Sequence, residues 1–143
     1  MVTIDAVITA FNQRELMRDA VESVLGQSVP VREMIVVDDG SSDKDSLKVL
    51  AELVSISGVR VIRHANAGVS AARNAGIRTT SADLVLVLDG DDLIAPTFVQ
   101  ETARALEKAP RQRRRPRGCG CLARLTLWCG RVTSHREPFS PLP

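Results

Sequence analysis

Apolar and polar residues alternate along the first 110 positions in a pattern typical of repeated strand–helix units. Four short runs rich in Val and Ile predict β-strands, and each is followed by a segment whose apolar residues recur at helical spacing. The predicted strands span residues 3–9, 33–37, 59–63 and 84–88, and the predicted helices span 14–25, 45–55, 69–77 and 96–108. This order predicts an α/β fold with a mostly parallel sheet and flanking helices.

Two of these segments carry further information about packing. The fourth predicted strand, Leu84 to Leu88, is wholly apolar, which indicates a central position in the sheet. In the third predicted helix, Ala72 and Gly76 lie four residues apart, and their small size would let that helix approach the sheet closely.

The charge of the chain changes sign near Pro110. Residues 1–110 carry an excess of acids, whereas residues 111–143 contain eight arginines and a single acid, Glu137. We therefore predict a folded unit over 1–110 and a disordered basic Arg/Pro/Cys tail over 111–143. The three cysteines all fall in this tail, and no apolar run is long enough to span a bilayer. A cytoplasmic location is expected, with peripheral attachment to a membrane as the alternative.

The tail offers two weak candidates for binding sites. One is a zinc site formed by Cys119, Cys121, Cys129 and His135, which is disfavoured because the spacing contains no CxxC pair. The other is the run Arg113 to Arg115, which no aromatic or groove-reading motif accompanies. It supports at most a nonspecific contact with a polyanion, so we expect no specific nucleic-acid partner.

Polar side chains follow three of the four predicted strands, where parallel α/β sheets bind their ligands. These residues are Thr9 after the first strand, Asp38 and Asp39 after the second, and Asp89, Asp91 and Asp92 after the fourth. Carboxylates crowded at one edge of a sheet repel one another unless a cation or hydrogen-bond donors compensate their charge. A bound metal is the simplest compensation that the sequence suggests.

The turn Asp89-Gly90-Asp91 can present two carboxylates to one point, because glycine adopts conformations closed to other residues. Hard oxygen ligands select Mg²⁺ or Mn²⁺, and substrate phosphates usually complete the coordination of such a metal. The alternative is that this acidic turn, like that at Asp38 and Asp39, is only a turn that leads into a helix N-cap.

Two further candidates, Arg73 and His64, lie between the acidic turns that follow the second and fourth predicted strands. Arg73 near a helix start can contact a phosphate or a base, or it can be a solvated helical arginine. His64 stands alone in a predicted loop and is expected to be solvated.

Five segments, in this order, resemble glycosyltransferase family 2 over about residues 3–108. They are Val7-Ile8-Thr9-Ala10-Phe11-Asn12, Ser23-Val24-Leu25-Gly26-Gln27-Ser28, Met34-Ile35-Val36-Val37-Asp38-Asp39-Gly40-Ser41-Ser42-Asp43, Asn66-Ala67-Gly68-Val69-Ser70-Ala71-Ala72-Arg73-Asn74 and Leu88-Asp89-Gly90-Asp91-Asp92. Each segment alone would be a weak match, and their shared order and spacing make the resemblance specific.

The resemblance implies a GT-A fold and an inverting hexosyltransferase that uses a nucleotide-diphospho-sugar, with a UDP-sugar expected, together with Mg²⁺ or Mn²⁺. Carried over residue by residue, it assigns the nucleotide to Thr9, Asp38, Asp39, Arg73 and Asp89, with Asp38 the less certain neighbour of Asp39. It assigns the metal of the Asp-x-Asp (DXD) motif to Asp89 and Asp91, with Asp92 as support. The acceptor, whether a glycan, a lipid-linked glycan or a protein, is left open.

Two departures from the family pattern affect these expectations. The family's usual Pro-Thr-Tyr reads Thr9-Ala10-Phe11, which keeps an aromatic ring and loses its hydroxyl. The resemblance also stops near Pro110, where the family continues into an acceptor-binding half that carries the catalytic base. Residues 111–143 contain no Asp, and Glu137 matches no family motif, so no catalytic residue is nominated.

We therefore expect a truncated or frameshifted chain, whose fourth strand would be left as an exposed edge. The alternative function is that of an inactive donor-binding remnant. A dinucleotide-binding enzyme is disfavoured because the first strand–helix turn, Thr9 to Arg14, lacks the glycines of G-x-G-x-x-G.

Overall fold

The computed structural model describes residues 1–108 and 125–128, and strands alternate with helices as the apolar pattern predicts. The elements, in chain order, are β1 Ile4–Ala10, α1 Glu15–Leu25, β2 Met34–Asp38, α2 Lys44–Leu53, β3 Val59–Arg63, α3 Val69–Thr79, β4 Leu84–Asp89, α4 Phe98–Lys108 and β5 Leu125–Trp128. The first eight elements match the predicted ones to within a few residues, so the α/β fold class is confirmed.

The strands of the described part form one parallel sheet in the order β3-β2-β1-β4-β5. The chain builds outward from β1 to β2 and β3 and then crosses back to place β4 on the other side of β1. Such a reversal of direction is a topological switch point, and a crevice opens there beyond the carboxyl ends of the strands. In this fold the switch point lies between β1 and β4.

Each face of the sheet has its own apolar cluster, because successive side chains of a strand point to opposite faces. Ile8 of β1 belongs to the larger cluster, which α1, α2 and α4 cover. Val7 belongs to the smaller cluster with Val85 and Val87 of β4, beneath α3. By the same alternation, Thr9 and Asp89 end their strands on the face that α3 covers.

Helix α3 lies close against the sheet, as its small residues predict. Ala72 and Gly76 are buried. A Cβ atom added to Gly76 would collide with the Val7 side chain and lie 3.0 Å from Cγ2 of Val37. This close approach brings the first turns of α3 to the carboxyl end of β1.

The expectation that the fourth strand is an exposed edge is wrong. Strand β5 pairs in parallel with β4, in a register that runs from Leu84 opposite Leu125 to Val87 opposite Trp128. The central position predicted for Leu84 to Leu88 is therefore confirmed, and the sheet edges within the described residues are β3 and β5.

Of the predicted tail, the structure describes only the four residues of β5. The expectation of a disordered tail from residue 111 onward otherwise stays a prediction. The tail features considered above, namely Arg113 to Arg115, Cys119, Cys121, Cys129, His135 and Glu137, lie outside the described residues.

A buried ion pair holds the amino end of the sheet. Arg32 donates from Nε to Oδ1 of Asp5 at 3.0 Å and from Nη2 to Oδ2 at 2.8 Å. The Asp5 carboxylate is fully buried, and Arg32 also reaches Oγ of Ser81 at 3.0 Å. The pair joins the segments that precede β2 and β4 to β1, at the end of the sheet opposite the switch-point crevice.

Within the part of the chain described, no helix combines the length and the apolarity that crossing a bilayer requires.

Candidate functional site

A cleft of about 320 Å³ opens at the switch point, on the α3 side of the sheet. This volume falls in the range of roughly 300–1,000 Å³ that small-molecule pockets occupy. The residues that line it are Thr9, Ala10, Phe11, Gln13, Asp39, Asn66, Gly68, Val69, Ala72, Asp89 and Asp91. The cleft thus gathers loops that follow β1, β2, β3 and β4.

Thr9 and Asp89 face each other across the switch point. They are register partners in the pairing of β1 with β4, and Oγ1 of Thr9 donates to Oδ1 of Asp89 at 3.0 Å. The parallel pairing therefore brings together two predicted site residues that are 80 positions apart in the chain.

Arg73 neutralises the Asp89 carboxylate from the first turns of α3. Its Nη2 donates to both carboxylate oxygens, at 2.7 and 2.8 Å. The two side chains remain 25% and 31% exposed, so the pair is reachable from the cleft although Arg73 itself does not line it. Among the described residues, Nε of Arg73 is buried and has no hydrogen-bond partner. An unpaired buried donor is costly, so the pairing with Asp89 leaves one N–H of the guanidinium unsatisfied.

Asp39 holds the loop that leads into α3. Its Oδ1 accepts from the backbone N–H of Ala67 at 2.8 Å, and its Oδ2 accepts from that of Gly68 at 2.9 Å. Gly68 has a φ of 90°, a conformation that favours glycine, and α3 begins at the next residue. Each carboxylate oxygen has a second lone pair, so Asp39 keeps acceptor capacity on the side that faces the cleft.

His64 packs behind Asp39 and is partly buried, so the expectation of a solvated loop histidine is wrong. Its Nδ1 lies 2.7 Å from the carbonyl oxygen of Ala65 and 3.4 Å from Oδ1 of Asp39. The shorter contact indicates that Nδ1 carries a hydrogen and donates it to the carbonyl. Nε2 is buried without a partner in the described part of the chain.

Asp38 points away from the cleft, because it is the neighbour of Asp39 along an extended segment. It is fully buried, and Oδ1 accepts from the backbone N–H of Ser41 at 3.0 Å. Nε of Arg63 lies 3.1 Å from Oδ2, within ion-pair distance, but the N–H is not aligned for a hydrogen bond. Asp38 therefore shapes the turn after β2, and the cleft-lining acid of the pair is Asp39.

The acidic turn after β4 alternates buried and exposed residues. Asp91 is exposed and lines the cleft, whereas Asp92 is buried and does not. Gly90 does not have a positive φ, so its backbone conformation is open to other residues. The position requires glycine because there is no space for a side chain. A Cβ at Gly90 would meet the side chains of Met17 and Gln13 and would lie 2.7 Å from the carbonyl oxygen of Thr9. The predicted reason for this glycine, its conformational freedom, is wrong, and its position against β1 is the physical cause.

The crowded carboxylates do not require a cation for their own stability. Asp38, Asp39 and Asp89 each have protein donors or a paired arginine, as described above. Within residues 1–108 and 125–128 no group of three or more His, Cys, Asp or Glu side chains could hold a metal alone. The residues fit a metal only as a partial, all-oxygen ligand set at Asp91 and Asp89, which a ligand's phosphates and water would complete.

The loop between β1 and α1 is tied to the turn before α2. Asn12, with a φ of 52°, accepts at Oδ1 from the backbone N–H groups of Ser42 and Asp43 at 2.9 and 3.0 Å. Arg14, with the same φ, donates to both carboxylate oxygens of Asp43 at 3.1 Å. The pKa of Asp43 is lowered, first by the hydrogen bond from the Ser46 backbone N–H and then by Arg14. These contacts fix the cleft wall that carries Phe11.

Sequence reasoning missed two polar residues of the cleft. Gln13 lines its floor and accepts from the backbone N–H of Phe11 at 3.3 Å. Asn66 lines the opposite wall, where its backbone N–H lies 2.8 Å from the position of a Cβ on Gly40. The signal available for both was their position in loops that follow strands of a parallel sheet.

Comparison with known proteins places this geometry in context. The family model described as Glycosyl transferase family 2 matches residues 5–115. The uncharacterized glycosyltransferase YibD of Escherichia coli K12 is 33% identical over 99 residues, which cover 68% of this chain and 28% of YibD. The uncharacterized glycosyltransferase EpsJ of Bacillus subtilis is 28% identical over 117 residues, which cover 82% of this chain and 33% of EpsJ. The chain thus spans about a third or less of these two curated relatives.

Solved structures share the fold. Residues 1–349 of S. aureus TarS, crystallised in complex with UDP-GlcNAc, superpose with a TM-score of 0.66 at 21% identity, and the match covers 76% of this chain and 32% of that one. At this identity the likeness shows the GT-A type of fold and no more.

Proposed function

This chain belongs to glycosyltransferase family 2, and we propose that its cleft binds a nucleotide-diphospho-sugar, most simply a UDP-sugar, as the donor of an inverting glycosyl transfer. The observation that carries the proposal is the convergence of Thr9, Asp39 and Asp89 on one cleft at the switch point. Its support from outside the chain is that the relatives are named glycosyltransferases and that TarS was crystallised with UDP-GlcNAc.

The nucleobase of the donor would lie between Phe11 and Asp39. Phe11 is about half exposed at the mouth of the cleft and offers an apolar ring face for stacking, in the place where a tyrosine is usual in the family. Asp39 is held rigid by two backbone N–H groups and offers its remaining lone pairs to a base N–H. Thr9 closes the floor, with its hydroxyl hydrogen already directed at Asp89.

The ribose and the diphosphate would lie toward Asp89 and Arg73. Asp89 has lone pairs that can accept from a ribose hydroxyl while it remains paired with Arg73. The Arg73 side chain is 25% exposed beside the cleft, and its guanidinium can give a charge-assisted hydrogen bond to a phosphate oxygen. Arg73 therefore serves two purposes in this proposal, since it orients Asp89 and recognises the anion.

Mg²⁺ or Mn²⁺ would be held chiefly by Asp91, the exposed acid of the turn, with Asp89 contributing only as far as Arg73 allows. When bound, the ion supplies neutralisation of the charge that develops on the leaving diphosphate. Asp92 supports the turn from its buried side.

The transfer itself is a single displacement. The acceptor hydroxyl oxygen attacks the anomeric carbon and forms the new glycosidic bond, while the bond to the diphosphate oxygen breaks and the nucleoside diphosphate takes the electron pair. The hydroxyl proton passes to a general base. The cleft acids described here already have other assignments, so we place the base and the acceptor site outside the described residues. The acceptor class is left open among a glycan, a lipid-linked glycan and a protein, and a cytoplasmic or membrane-peripheral location is proposed.

A second candidate is donor binding without transfer. It is favoured because the roles proposed for the cleft residues are all roles in donor binding, and none of the described residues is proposed as the general base. Both candidates require a nucleotide-sugar in the cleft, and they differ in whether its sugar is transferred to an acceptor.

One experiment separates them. The full chain is incubated with UDP-glucose, UDP-galactose or UDP-GlcNAc, Mn²⁺ and a set of glycan, lipid-linked and protein acceptors. UDP release with and without acceptor is measured beside UDP binding by calorimetry. Binding with acceptor-dependent UDP release supports the transferase, and binding without such release from any acceptor supports the second candidate. Absence of saturable UDP binding would contradict both.

A further inference from the structure

The side-chain amide of Gln27 joins the C-terminal end of α1 to the segment that follows the acidic turn. Nε2 donates to the carbonyl oxygen of Ser23 at 3.0 Å and to that of Ala95 at 2.7 Å. Oε1 accepts from the backbone N–H of Val99 at 3.0 Å. Gln27 is 7% exposed, and its bonds to Ala95 and Val99 join parts of the chain about 70 positions apart.

Two neighbouring contacts follow the same path. The backbone N–H of Ser28 donates to the carbonyl oxygen of Pro96 at 2.8 Å, and that of Ile94 donates to Oγ of Ser23 at 3.4 Å. The amide of Gln27 is the centre of this group, because it uses both of its donors and its acceptor at once. A buried amide satisfied in this way fixes the backbone that it binds.

The acidic turn is therefore anchored at both ends. At its start, the backbone N–H of Gly90 donates to the carbonyl oxygen of Thr9 at 2.9 Å. At its end, Ala95 lies three positions after Asp92, a stretch that spans at most about 10 Å. Between the anchors Asp91 is exposed and Asp92 is buried, so the backbone that carries Asp91 lies between two fixed points.

We propose that Gln27 is a positioning residue for the acidic turn, which holds Asp91 against the cleft by binding the backbone at Ala95 and Val99. Gln27 touches no ligand in this proposal and acts only through Asp91. Its effect on nucleotide binding therefore rests on the proposed function.

Two variants test the role. Gln27→Leu removes all three hydrogen bonds, and Gln27→Glu keeps nearly the same shape while losing both N–H donors. Val49→Ala serves as the control for a general loss of stability, because it removes buried volume from α2 and no hydrogen bond to the segment after the turn. All are prepared in the full chain and compared at a temperature at which each remains folded.

The first readout is amide hydrogen exchange of the ligand-free protein. We expect the Asp91 to Ala95 amides to exchange about tenfold faster in both Gln27 variants than in Val49→Ala, because about one hydrogen bond's net free energy is lost locally. Unchanged exchange in this segment relative to the control would overturn the proposal, whether or not the protein binds a nucleotide.

The second readout is the affinity for UDP with and without Mn²⁺. We expect the gain in affinity that Mn²⁺ brings to shrink about fivefold or more, while the affinity for UDP alone changes less than about twofold, because Asp39 and Phe11 are not displaced. An equal loss in both affinities would show a merely structural role and overturn the proposal. Failure of the wild-type chain to bind UDP would reject the proposed function instead, and the exchange rates would still decide the role of Gln27.

Discussion

Arg73 donates from a single guanidinium nitrogen to both carboxylate oxygens of Asp89, at 2.7 and 2.8 Å, beside a cleft that opens at the switch point of the sheet. The pair joins α3 to the carboxyl end of β4. It leaves Nε of Arg73 buried without a partner in the described part of the molecule. The Arg73 side chain remains 25% exposed beside the cleft, so the arginine can hold Asp89 and also meet an anionic ligand.

Replacement of Arg73 by Met should lower the affinity for UDP by about tenfold or more, because a charge-assisted hydrogen bond is lost and Asp89 is left without its cation. Calorimetric titration with UDP measures the change. Arg78→Met, which removes an exposed arginine in the last turn of the same helix, is the control and should leave the affinity unchanged. Equal affinities of the two variants would contradict the role given to Arg73.

Gly90→Ala should destabilise the protein by about 1–3 kcal/mol, because the added methyl group collides with Met17, Gln13 and the backbone of Thr9. UDP binding should weaken as well, since Gln13 and Thr9 line the cleft. Urea unfolding measures the first effect. Gly26→Ala is the comparison, because its Cβ would meet only one atom, the Glu22 carbonyl oxygen at 3.3 Å. A cost no larger than that of Gly26→Ala would show that the turn has room to move.

Arg32→Met should lower the free energy of unfolding, because it leaves the buried Asp5 carboxylate without its charged partner. The double variant with Asp5→Asn should recover part of this loss, since no unpaired charge is then buried. Neither variant should change the affinity for UDP, because the pair lies at the opposite end of β1 from the cleft. A single variant as stable as the wild type would contradict this account of the ion pair.

Stability should fall in acid through Asp43, whose pKa is lowered in the folded state by the Ser46 backbone N–H and by Arg14. Such a carboxyl stabilises the fold above its unfolded pKa of about 3.9, and the contribution is lost as the pH falls through the lower folded pKa. In Asp43→Asn, which keeps a capping oxygen, the free energy of unfolding should depend less steeply on pH below about 4. Urea unfolding across this range measures the slope, with Asp45→Asn as the charge-matched control. Equal slopes for Asp43→Asn and the wild type would contradict the assignment.

The fold was predictable because its apolar runs are unambiguous. The four strands and four helices of the first 108 residues follow from periodicity alone, and the carboxyl-end positions of Thr9, Asp39 and Asp89 follow from parallel order. Strand alternation also explains why Asp38 and Asp39 point to opposite faces of the sheet, although the strand pattern alone did not indicate which of the two faces α3. Strand β5 was missed, because its four residues are a short apolar stretch within a basic segment whose composition predicts disorder.

What the sequence could not supply are contacts that depend on how elements dock. The pairing of Arg73 with Asp89 requires the close approach of α3, and the bridge from Gln27 to Ala95 requires α1 to meet the segment after β4. The partners of His64 likewise depend on the conformation of one loop. Crowded carboxylates suggested a metal from the sequence, but their protein donors became visible only in three dimensions.

The central claim, that the cleft binds a nucleotide through Asp39, is tested most directly by calorimetric titration of UDP into the wild-type chain and Asp39→Asn. Asp19→Asn, which changes an exposed acid of α1, is the charge-matched control. The account predicts saturable one-to-one binding that Asp39→Asn weakens by about tenfold to a hundredfold, because the variant replaces one of the two oxygens that accept from the loop by an NH2 group, which can only donate. Binding that is absent from the wild type, or equal in Asp39→Asn and Asp19→Asn, would contradict it.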